Sequence, residues 1–491
     1  MKISVAKKEL SSCKAHCLAI VIRQAETSDE VAQLPAELQD YLTAAWQAGD
    51  FNGKAGQTLL VYAPKLACQR LLFVGLGPEA GRDEVRQAGG TIAKAVAGLK
   101  VSQLAIGWQE EILPGLDMGE CLAEGVFLGA YTFTKYKAAP EKERVELKKI
   151  TLYPAGENSS CRKGVRLAQV AARAANLARD MANEPGNRWT PEEFALAGRS
   201  LGQKGLTCKV LTKRELQRLK MGGILGVNQG SSEPPCLVVL EYNCGAAKAD
   251  TLLLVGKGLT FDAGGISLKP AAGMEDMKYD MCGGAAVMAA MTAVAEEQPK
   301  GVNVVALVPA TENLPSSSAL KPGDVITAYN GTTIEVINTD AEGRLILADA
   351  LAYGIEKFKP TAVIDLATLT GAVIVGLGHH RCGLLSNDDE LAQKVAAAGE
   401  QSGEPCWRLP LGKEYSKQLE SQVADLKNIG GKAAGTITAA AFLQEFVGAT
   451  PWVHLDIAGT AWGFTEKSYV PAKGPSGFGA RLLVELIRGW R

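Results

Sequence analysis

Short runs of apolar residues recur along the chain, and segments with the apolar spacing of amphipathic helices separate many of them. In the first 150 residues or so, this pattern predicts strands alternating with at least one helix. The N-terminal part therefore has the pattern of an α/β domain. Its predicted strands are Cys17 to Ile22, Thr58 to Ala63 and Arg70 to Gly75, and its predicted helix is Arg86 to Leu99.

The C-terminal part alternates more clearly. Near-continuous apolar strands separated by helices indicate a mostly parallel sheet that is covered on both faces. In such sheets, ligands bind beyond the C-terminal ends of the strands. The predicted strands are Leu237 to Glu241, Thr251 to Gly256, Val302 to Val308, Thr333 to Ile337, Thr361 to Leu366 and Val453 to Ile457, with helices at Gly284 to Glu297 and Arg344 to Phe358.

The length of 491 residues is too great for one ordinary hydrophobic core, so we expect two domains. Residues Arg162 to Ala182 have a strong helical pattern, and a Pro/Gly stop follows them at Asn183 to Asn187. We read this helix as the connector between domains. The predicted boundaries are 1–160 for a smaller N-terminal domain, 161–187 for the connector and 188–491 for a larger C-terminal domain.

Composition excludes several classes of protein. Apolar residues make up 47% of the chain and charged residues 21%, as in a well-folded globular protein. The net charge is −1 and no basic block occurs, which argues against a dedicated nucleic-acid or anionic-membrane protein. The first twenty residues lack the apolar core of a signal peptide, and no long charge-free apolar run occurs. We therefore expect a cytoplasmic protein without a membrane segment.

Cysteine and histidine usage narrows the chemistry. The eleven cysteines are odd in number and widely spread, so no disulfide framework is expected. The cluster Cys13-x-x-His16-Cys17 lacks the second ligand pair of a structural metal site. The chain has only four histidines, of which the adjacent His379 and His380 are read as structural or surface residues. Any metal centre must therefore depend mainly on carboxylates.

The segment from Asn338 to Arg344 (N-T-D-A-E-G-R) is the richest in candidate chemistry. In an extended chain, the side chains of Asp340 and Glu342 point to the same side. Two hard oxygen ligands after an apolar strand form a metal-binding arrangement, and the nearby arginine indicates an anion or a developing negative charge. Alternatively, one carboxylate merely caps the helix that follows. The segment alone leaves both readings open.

Two other segments support the interpretation of a metal site. The glycine-rich stretch from Gly256 to Gly265 follows a predicted strand and contains Asp262, and Lys269 lies shortly beyond it. The stretch from Lys278 to Gly284 contains Asp280 and opens a predicted helix. Glycines allow a tight backbone path and a close approach to a ligand. Each charged residue is ordinary alone, but their shared position at strand and helix ends indicates one site.

These segments closely resemble the signature of the leucine aminopeptidase family, the cytosolic two-metal exopeptidases that include bacterial aminopeptidase A. The resemblance covers essentially all of residues 160–491 and is weaker over the first 150. It implies a macro-like N-terminal α/β domain and a C-terminal catalytic α/β domain. The matching motifs are V-G-K-G-L-T-F-D-A-G-G-I-S-L-K-P at 255–270, K-Y-D-M-C-G-G-A-A-V at 278–287, N-T-D-A-E-G-R-L-I-L-A-D-A-L at 338–351, D-L-A-T-L-T-G at 365–371 and D-I-A-G at 456–459.

The resemblance implies two divalent ions per chain, Mn²⁺ or Zn²⁺. Four carboxylates would balance the two cations provided that Lys257 binds as a neutral amine. Since the pKa of free lysine is about 10.4, adjacent cations would have to lower it by several units. One ion would contact Asp262, Asp340 and Glu342, and the second would contact Lys257, Asp262, Asp280 and Glu342.

The same resemblance implies the reaction. Two ions can bridge a water molecule and lower its pKa, so that a hydroxide cleaves the N-terminal residue from a peptide. Lys269 would stay protonated and stabilise the oxyanion. Arg344 would hold a bicarbonate that shuttles the proton. An apolar pocket would favour leucine and similar residues; its candidate lining residues are Met277, Thr368, Leu369, Ala458 and Ala461.

The resemblance also implies a homohexamer that acts on peptides with a free N-terminus. A DNA-binding regulatory or architectural role, in addition to or instead of peptidase activity, is the alternative, because some bacterial relatives have one. The neutral net charge does not support it. A two-metal phosphoesterase is disfavoured because no histidine lies beside the carboxylates.

Overall fold

The chain forms two compact units in the computed structural model. The first unit is Met1–Arg173 with Thr465–Ala472, and the second is Ala174–Phe464 with Lys473–Arg491. The division falls inside the helix that the sequence assigns to the connector. The structure describes residues 1–7, 10, 13–26, 29–108, 112–138, 147–154, 158–203, 205–463 and 466–490.

The first unit is built on a six-stranded sheet with the strand order β1-β6-β5-β2-β4-β3. All neighbouring strands are parallel except β3, which runs antiparallel to β4. Its strands are β1 (Lys2–Val5), β2 (Cys17–Ile22), β3 (Thr58–Ala63), β4 (Gln69–Gly75), β5 (Gln103–Gly107) and β6 (Lys149–Tyr153). Its helices are α1 (Asp29–Ala32), α2 (Ala36–Ala48), α3 (Arg82–Ala97) and α4 (Gly115–Gly129), and α5 (Asn158–Asn183) continues into the second unit.

Both faces of this sheet are covered, which explains the continuous apolar run of β2. Ala19 and Val21 contribute to a core with α3 and α4, while Ile20 and Ile22 contribute to a core with α2. Alternate side chains of a strand point to opposite faces, so a strand between two cores has no polar position.

The second unit contains the remaining strands and helices. The strands are β7 (Thr207–Leu211), β8 (Cys236–Tyr242), β9 (Asp250–Gly256), β10 (Gly258–Asp262), β11 (Val302–Asn313), β12 (Val325–Thr327), β13 (Thr333–Glu335), β14 (Ala362–Ala367), β15 (Cys382–Ser386), β16 (Cys406–Arg408), β17 (Leu426–Lys427) and β18 (Trp452–Asp456). The helices are α6 (Pro191–Gly202), α7 (Lys213–Arg218), α8 (Gly222–Val227), α9 (Cys282–Glu297), α10 (Gly343–Phe358), α11 (Gly371–Leu377), α12 (Asp389–Ser402), α13 (Lys413–Ser416), α14 (Gly435–Gln444) and α15 (Ala480–Gly489).

The central sheet has the order β16-β15-β18-β14-β9-β11-β8-β7, and β10 pairs with the end of β11. Its middle strands β18, β14, β9 and β11 are mutually parallel. Three pairs are antiparallel: β8 with β11, β7 with β8, and β15 with β18. The prediction of a mostly parallel α/β sheet is confirmed. Along the chain, β9 leads through α9 to β11 on one side, and β14 then lies on the other side of β9. Strand order therefore reverses between β9 and β14, where ligands bind in such folds.

Two layers of helices cover the central sheet. Leu253 and Val255 of β9 belong to a core that includes Leu345 and Ile346 of α10. The alternate residue Leu254 is also fully buried, on the face that α9 contacts. No helix among the described residues is long and apolar enough to cross a membrane.

One strand assignment from the sequence is wrong in its sheet and its length. The segment Thr333 to Ile337 was expected to be a strand of the parallel sheet. Instead, β13 ends at Glu335 and lies in a separate three-stranded sheet with the order β12-β13-β17. Burial explains the difference: only Ile334 of β13 is fully buried, its two neighbours are half-buried, and Ile337 is 39% exposed. A central strand would be buried on both faces.

Candidate active site

The C-terminal ends of the parallel strands bring the candidate residues together. Lys257 directly follows β9, Asp262 ends β10, and Thr368 directly follows β14. Two helices begin at the same edge: Asp280 lies two residues before α9, and Glu342 lies one residue before α10. The candidates therefore occupy the edge of the sheet at which strand order reverses.

Lys257 lies in the middle of this group and is buried. Its Nζ atom is 2.8 Å from Asp280 Oδ2 and 2.9 Å from Glu342 Oε1, and it donates a hydrogen bond to the carbonyl oxygen of Thr368 at 3.1 Å. Burial by itself lowers the pKa of Lys257, but the attraction of Asp280 and Glu342 outweighs it and raises the pKa above its ordinary value. With only carboxylates around it, Lys257 is an ammonium ion.

The start of α10 leaves room for this lysine. A Cβ atom on Gly343 would lie 2.6 Å from Lys257 Cε. Any larger residue at this position would therefore displace the lysine from the carboxylates.

Lys269 joins the outer side of the group. Its Nζ atom is 2.8 Å from Asp262 Oδ2 and 2.5 Å from Asp340 Oδ1. Burial lowers the pKa of Lys269, but the attraction of Asp262 and the other carboxylates is larger and raises it. Lys269 therefore stays protonated at neutral pH, and its side chain remains 21% exposed.

The acidic residues form an inner group and an outer member. Oxygen atoms of Asp262, Asp280 and Glu342 lie within 4.8 Å of one another, which is close enough to hold one ion. Asp340 is not part of this inner group and is connected to Asp262 through Lys269. Within the described ranges, no other three His, Cys, Asp or Glu side chains converge in this way.

The net charge of the acidic group, and its oxygen atoms that lack hydrogen-bond partners, indicate whether the group is suited to divalent cations. Burial is the main cause that raises the pKa of Asp280, Glu342 and Asp340. When all four carboxylates are ionised, they exceed the two ammonium groups by two negative charges. Glu342 Oε2 is buried and accepts no hydrogen bond among the described residues. A buried excess of hard oxygen donors is a suitable environment for divalent cations.

The geometry of Glu342 decides between the two readings of its segment. Glu342 occupies the N-cap position of α10, but its side chain makes no capping hydrogen bond. Its Oε1 atom instead lies beside Lys257. The carboxylate is therefore directed into the acidic group and does not cap the helix.

The turn that carries Asp340 is held by residues that the sequence analysis did not single out. Asn428 is fully buried; its Oδ1 accepts hydrogen bonds from the backbone N–H groups of Ile337 (2.8 Å) and Asn338 (3.3 Å), and its Nδ2 donates to the Asn338 carbonyl (2.7 Å). Asn313 Nδ2 donates to Asp262 Oδ1 (2.9 Å) and to the Thr339 carbonyl (3.0 Å). The position of Asn313 at the end of β11 is the one sequence signal that could have indicated it.

Arg344 is buried beside the site. It donates from Nη1 to the carbonyl oxygen of Asn428 at 2.8 Å, and its buried Nε has no hydrogen-bond partner among the described residues. Burial lowers the pKa of Arg344 to about 10, although Glu342 and Asp456 attract the charged form. A buried guanidinium with an unused donor is suited to bind an anion.

The five pocket candidates fall into three places. Thr368 and Leu369 follow β14, and Ala458 follows β18, while Met277 lies on a 3₁₀ helix at Met274–Tyr279. Ala461 is buried and donates its backbone N–H to the carbonyl of Ile457. The Thr368 hydroxyl donates to Asp280 Oδ1 at 2.7 Å, so its polar group serves the carboxylates.

Comparison with known proteins identifies the family of the chain. Residues 176–484 match the family model described as "Cytosol aminopeptidase family, catalytic domain", and residues 19–140 match the N-terminal domain of the same family. The chain belongs to the cytosol aminopeptidase family. The resemblance found in the sequence is thereby confirmed.

Relatives and solved structures share nearly the whole chain. A probable cytosol aminopeptidase of Desulforapulum autotrophicum is 56% identical over 467 residues, covering 91% of this chain and 90% of the relative. The structure of tomato leucine aminopeptidase, in a mutant form, has a TM-score of 0.90 at 32% identity and covers 99% of this chain and 96% of its own. Bottromycin maturation enzyme BotP in complex with Mn has a TM-score of 0.85 at 35% identity, covering 96% of this chain and 99% of its own.

Replacing Asn428 by alanine should loosen the turn that carries Asp340. The substitution removes the side-chain partner of three part-buried backbone groups of Ile337 and Asn338, and each lost hydrogen bond costs about 0.5–1.5 kcal/mol. Hydrogen exchange measured by mass spectrometry should become about ten- to a hundredfold faster for residues 337–342. The matched control is Asn330→Ala in an exposed turn, which should leave this segment unchanged. Equal exchange in both variants would contradict the role of Asn428.

Proposed function

We propose that this member of the cytosol aminopeptidase family is a metal-dependent leucyl aminopeptidase that holds two divalent ions in the carboxylate group. The observation that carries the proposal is the buried convergence of Asp262, Asp280 and Glu342 around Lys257, with two negative charges left uncompensated. The Mn complex of the BotP structure supports manganese as one metal of choice.

The residues present provide a ligand set for two ions. Asp262, Asp340 and Glu342 would hold one ion, and Lys257, Asp262, Asp280 and Glu342 would hold the other. Lysine binds a cation only as a neutral amine, so loading the site requires the loss of the Lys257 proton. The proton is retained while carboxylates are the only neighbouring charges, and cations reverse this balance.

Each charged residue then has a defined task. When bound, the ions would supply Lewis acidity, lower the pKa of water at the site and offer a position for the free α-amine of the peptide. Lys269 keeps its proton and can donate it in a hydrogen bond to the oxyanion that develops on the scissile carbonyl. Its partial exposure, in contrast to the burial of Lys257, allows a substrate to reach it.

Arg344 would hold a small anion, and bicarbonate is the anion that we propose. The buried Nε–H group has no protein partner among the described residues, and burial without a bound counter-ion disfavours the charged guanidinium. A bicarbonate would satisfy this donor, and when bound it would supply a group that can accept and donate a proton beside the acidic residues. The described acidic group contains no histidine that could act as this base.

Substitution of Lys269 or Asp340 should abolish turnover without unfolding the protein. Lys269→Ala removes the donor to the oxyanion, and we expect kcat for leucine-anilide hydrolysis to fall by at least about 10²–10³-fold. Asp340→Asn removes the negative charge of a proposed ligand and should also abolish leucine release. Lys321→Ala, which removes an exposed lysine paired with Asp324, is the matched control and should retain full activity. Near-wild-type activity in either site variant, with an unchanged circular dichroism spectrum, would refute the assignment.

Removal of the metal should inactivate the enzyme reversibly. Exhaustive chelation should abolish leucine release, and Mn²⁺ or Zn²⁺ should restore it, because the water is activated only beside a cation. Elemental analysis of the reloaded protein should give two ions per chain, and the Asp262→Asn variant should bind fewer. Full activity after the metal content has fallen to zero would rule out this mechanism.

The substrate preference can be measured with a panel of aminoacyl-anilides. Leu369, Ala458 and Ala461 are apolar, so burying a charged side chain among them would cost more than burying leucine or methionine. We expect kcat/KM for leucine and methionine to exceed that for glutamate and lysine by at least about a hundredfold. A preference for charged N-terminal residues would show that other residues line the pocket.

A further inference from the structure

Asp456 is a buried carboxylate that the proposed chemistry does not use. It is the last residue of β18, fully buried, and lies opposite Ala367 at the end of β14. The loops that follow these two strands carry the pocket candidates Leu369 and Ala458. Asp456 therefore lies at the point where both loops leave the sheet.

A single carboxylate holds both loops. Oδ1 of Asp456 accepts backbone hydrogen bonds from Leu369 (3.2 Å), Thr370 (3.4 Å) and Ala458 (3.2 Å). Oδ2 accepts a hydrogen bond from the Thr370 hydroxyl at 2.6 Å. The hydroxyl oxygen of Thr370 also accepts from the backbone N–H of Val373 at 3.3 Å and so caps α11. The four donors come from two separate segments, so neither loop can move without breaking bonds to the carboxylate.

The loop after β14 also reaches the acidic group. The Thr368 carbonyl accepts a hydrogen bond from Lys257, and the Thr368 hydroxyl donates to Asp280. Leu369, the next residue, has its backbone N–H on Asp456. One short segment thus connects the acidic group on one side to Asp456 on the other.

The same strand carries a histidine that interacts with Asp456. His454 lies two residues before Asp456 in β18, so both side chains point to the same face of the sheet. His454 Nδ1 is 2.6 Å from Asp365 Oδ1, and the Trp452 indole donates to the other Asp365 oxygen at 2.6 Å. Burial lowers the pKa of His454, but Asp365 and Asp456 outweigh it and raise the pKa. The attraction of His454 lowers the pKa of Asp456, but burial is the larger cause and leaves that pKa raised.

We propose that Asp456 is a positioning residue for substrate selectivity: its carboxylate clamps the loops after β14 and β18 and so sets the width of the apolar pocket between Leu369 and Ala458. The inference rests on the proposed aminopeptidase function for its substrate, but the clamp itself is a property of the fold. Because Asp456 does not touch the reacting atoms, its loss should change which side chain is preferred more than whether cleavage occurs.

Two variants and one control test the clamp. Asp456→Asn keeps one oxygen for the backbone N–H groups but presents an amide in place of the second oxygen, and Thr370→Val removes only the hydroxyl. The control, Ser386→Ala, removes a buried hydroxyl that donates to the Trp452 carbonyl at the opposite end of β18. Each protein is loaded with Mn²⁺, assayed with leucine- and alanine-anilide, and analysed by hydrogen exchange.

We expect backbone hydrogen exchange to become faster in both 368–371 and 457–460 in Asp456→Asn. In Thr370→Val, we expect faster exchange in 368–371. The ratio of kcat/KM for leucine over alanine should fall about tenfold in Asp456→Asn and stay unchanged in Ser386→Ala, because only a widened pocket loses the contribution of the larger side chain. These results would support the clamp.

An unchanged leucine-to-alanine ratio in Asp456→Asn would overturn the inference, as would an equal fall in Ser386→Ala. If Asp456→Asn does not fold, unaltered exchange and an unaltered ratio in Thr370→Val would overturn it instead. A wild-type protein that hydrolyses no aminoacyl-anilide would refute the proposed function. Hydrogen exchange alone would then decide the clamp, which is wrong if the two loops do not loosen together.

Discussion

The burial of Asp262, Asp280 and Glu342 at one edge of the central sheet, with the half-buried Asp340 beside them, is the constraint on which the second unit depends. Burial, followed by the repulsion of the neighbouring carboxylates, raises the pKa of Asp280 and of Glu342. The two lysines compensate half of the charge. Burying like charges is unfavourable, so a fold retains such a group only where other interactions stabilise the surrounding structure. Such groups are characteristic of functional sites.

The strands and helices provide that stability by meeting at a single edge. The parallel strands β9 and β14 end side by side, and α9 and α10 begin just beyond the acidic group. Continuous apolar packing holds these elements from both faces. The charged side chains are therefore carried by well-packed elements. Hydrogen bonds with Asn313, Asn428 and Asp456 hold their loops: Asn313 donates to Asp262, whereas Asn428 and Asp456 accept from backbone N–H groups.

Most regular elements of the fold could be predicted from apolar spacing. β2 and β3 begin and end at the predicted residues, and α9 and α10 begin within two residues of the prediction. The failure at β13 has a physical cause. A short strand with one buried face has the same apolar content as a fragment of a buried strand, and only its partners distinguish the two. The antiparallel partners β7, β8 and β15 likewise depend on pairing between distant segments.

The sequence by itself determined the α/β class, the family and the identity of the charged residues, because glycine and carboxylate motifs at strand ends are local patterns. Tertiary structure decided how these residues are arranged. It placed Asp340 outside the inner carboxylate group, directed Glu342 away from its helix cap, and left a donor of Arg344 unpaired. It also brought Asn428 and Asp456 into hydrogen bonds with the loops of the site, a role that the sequence analysis assigned to neither residue. A hydrogen bond between residues some 90 positions apart, as from Asn428 to Asn338, exists only once the chain has folded.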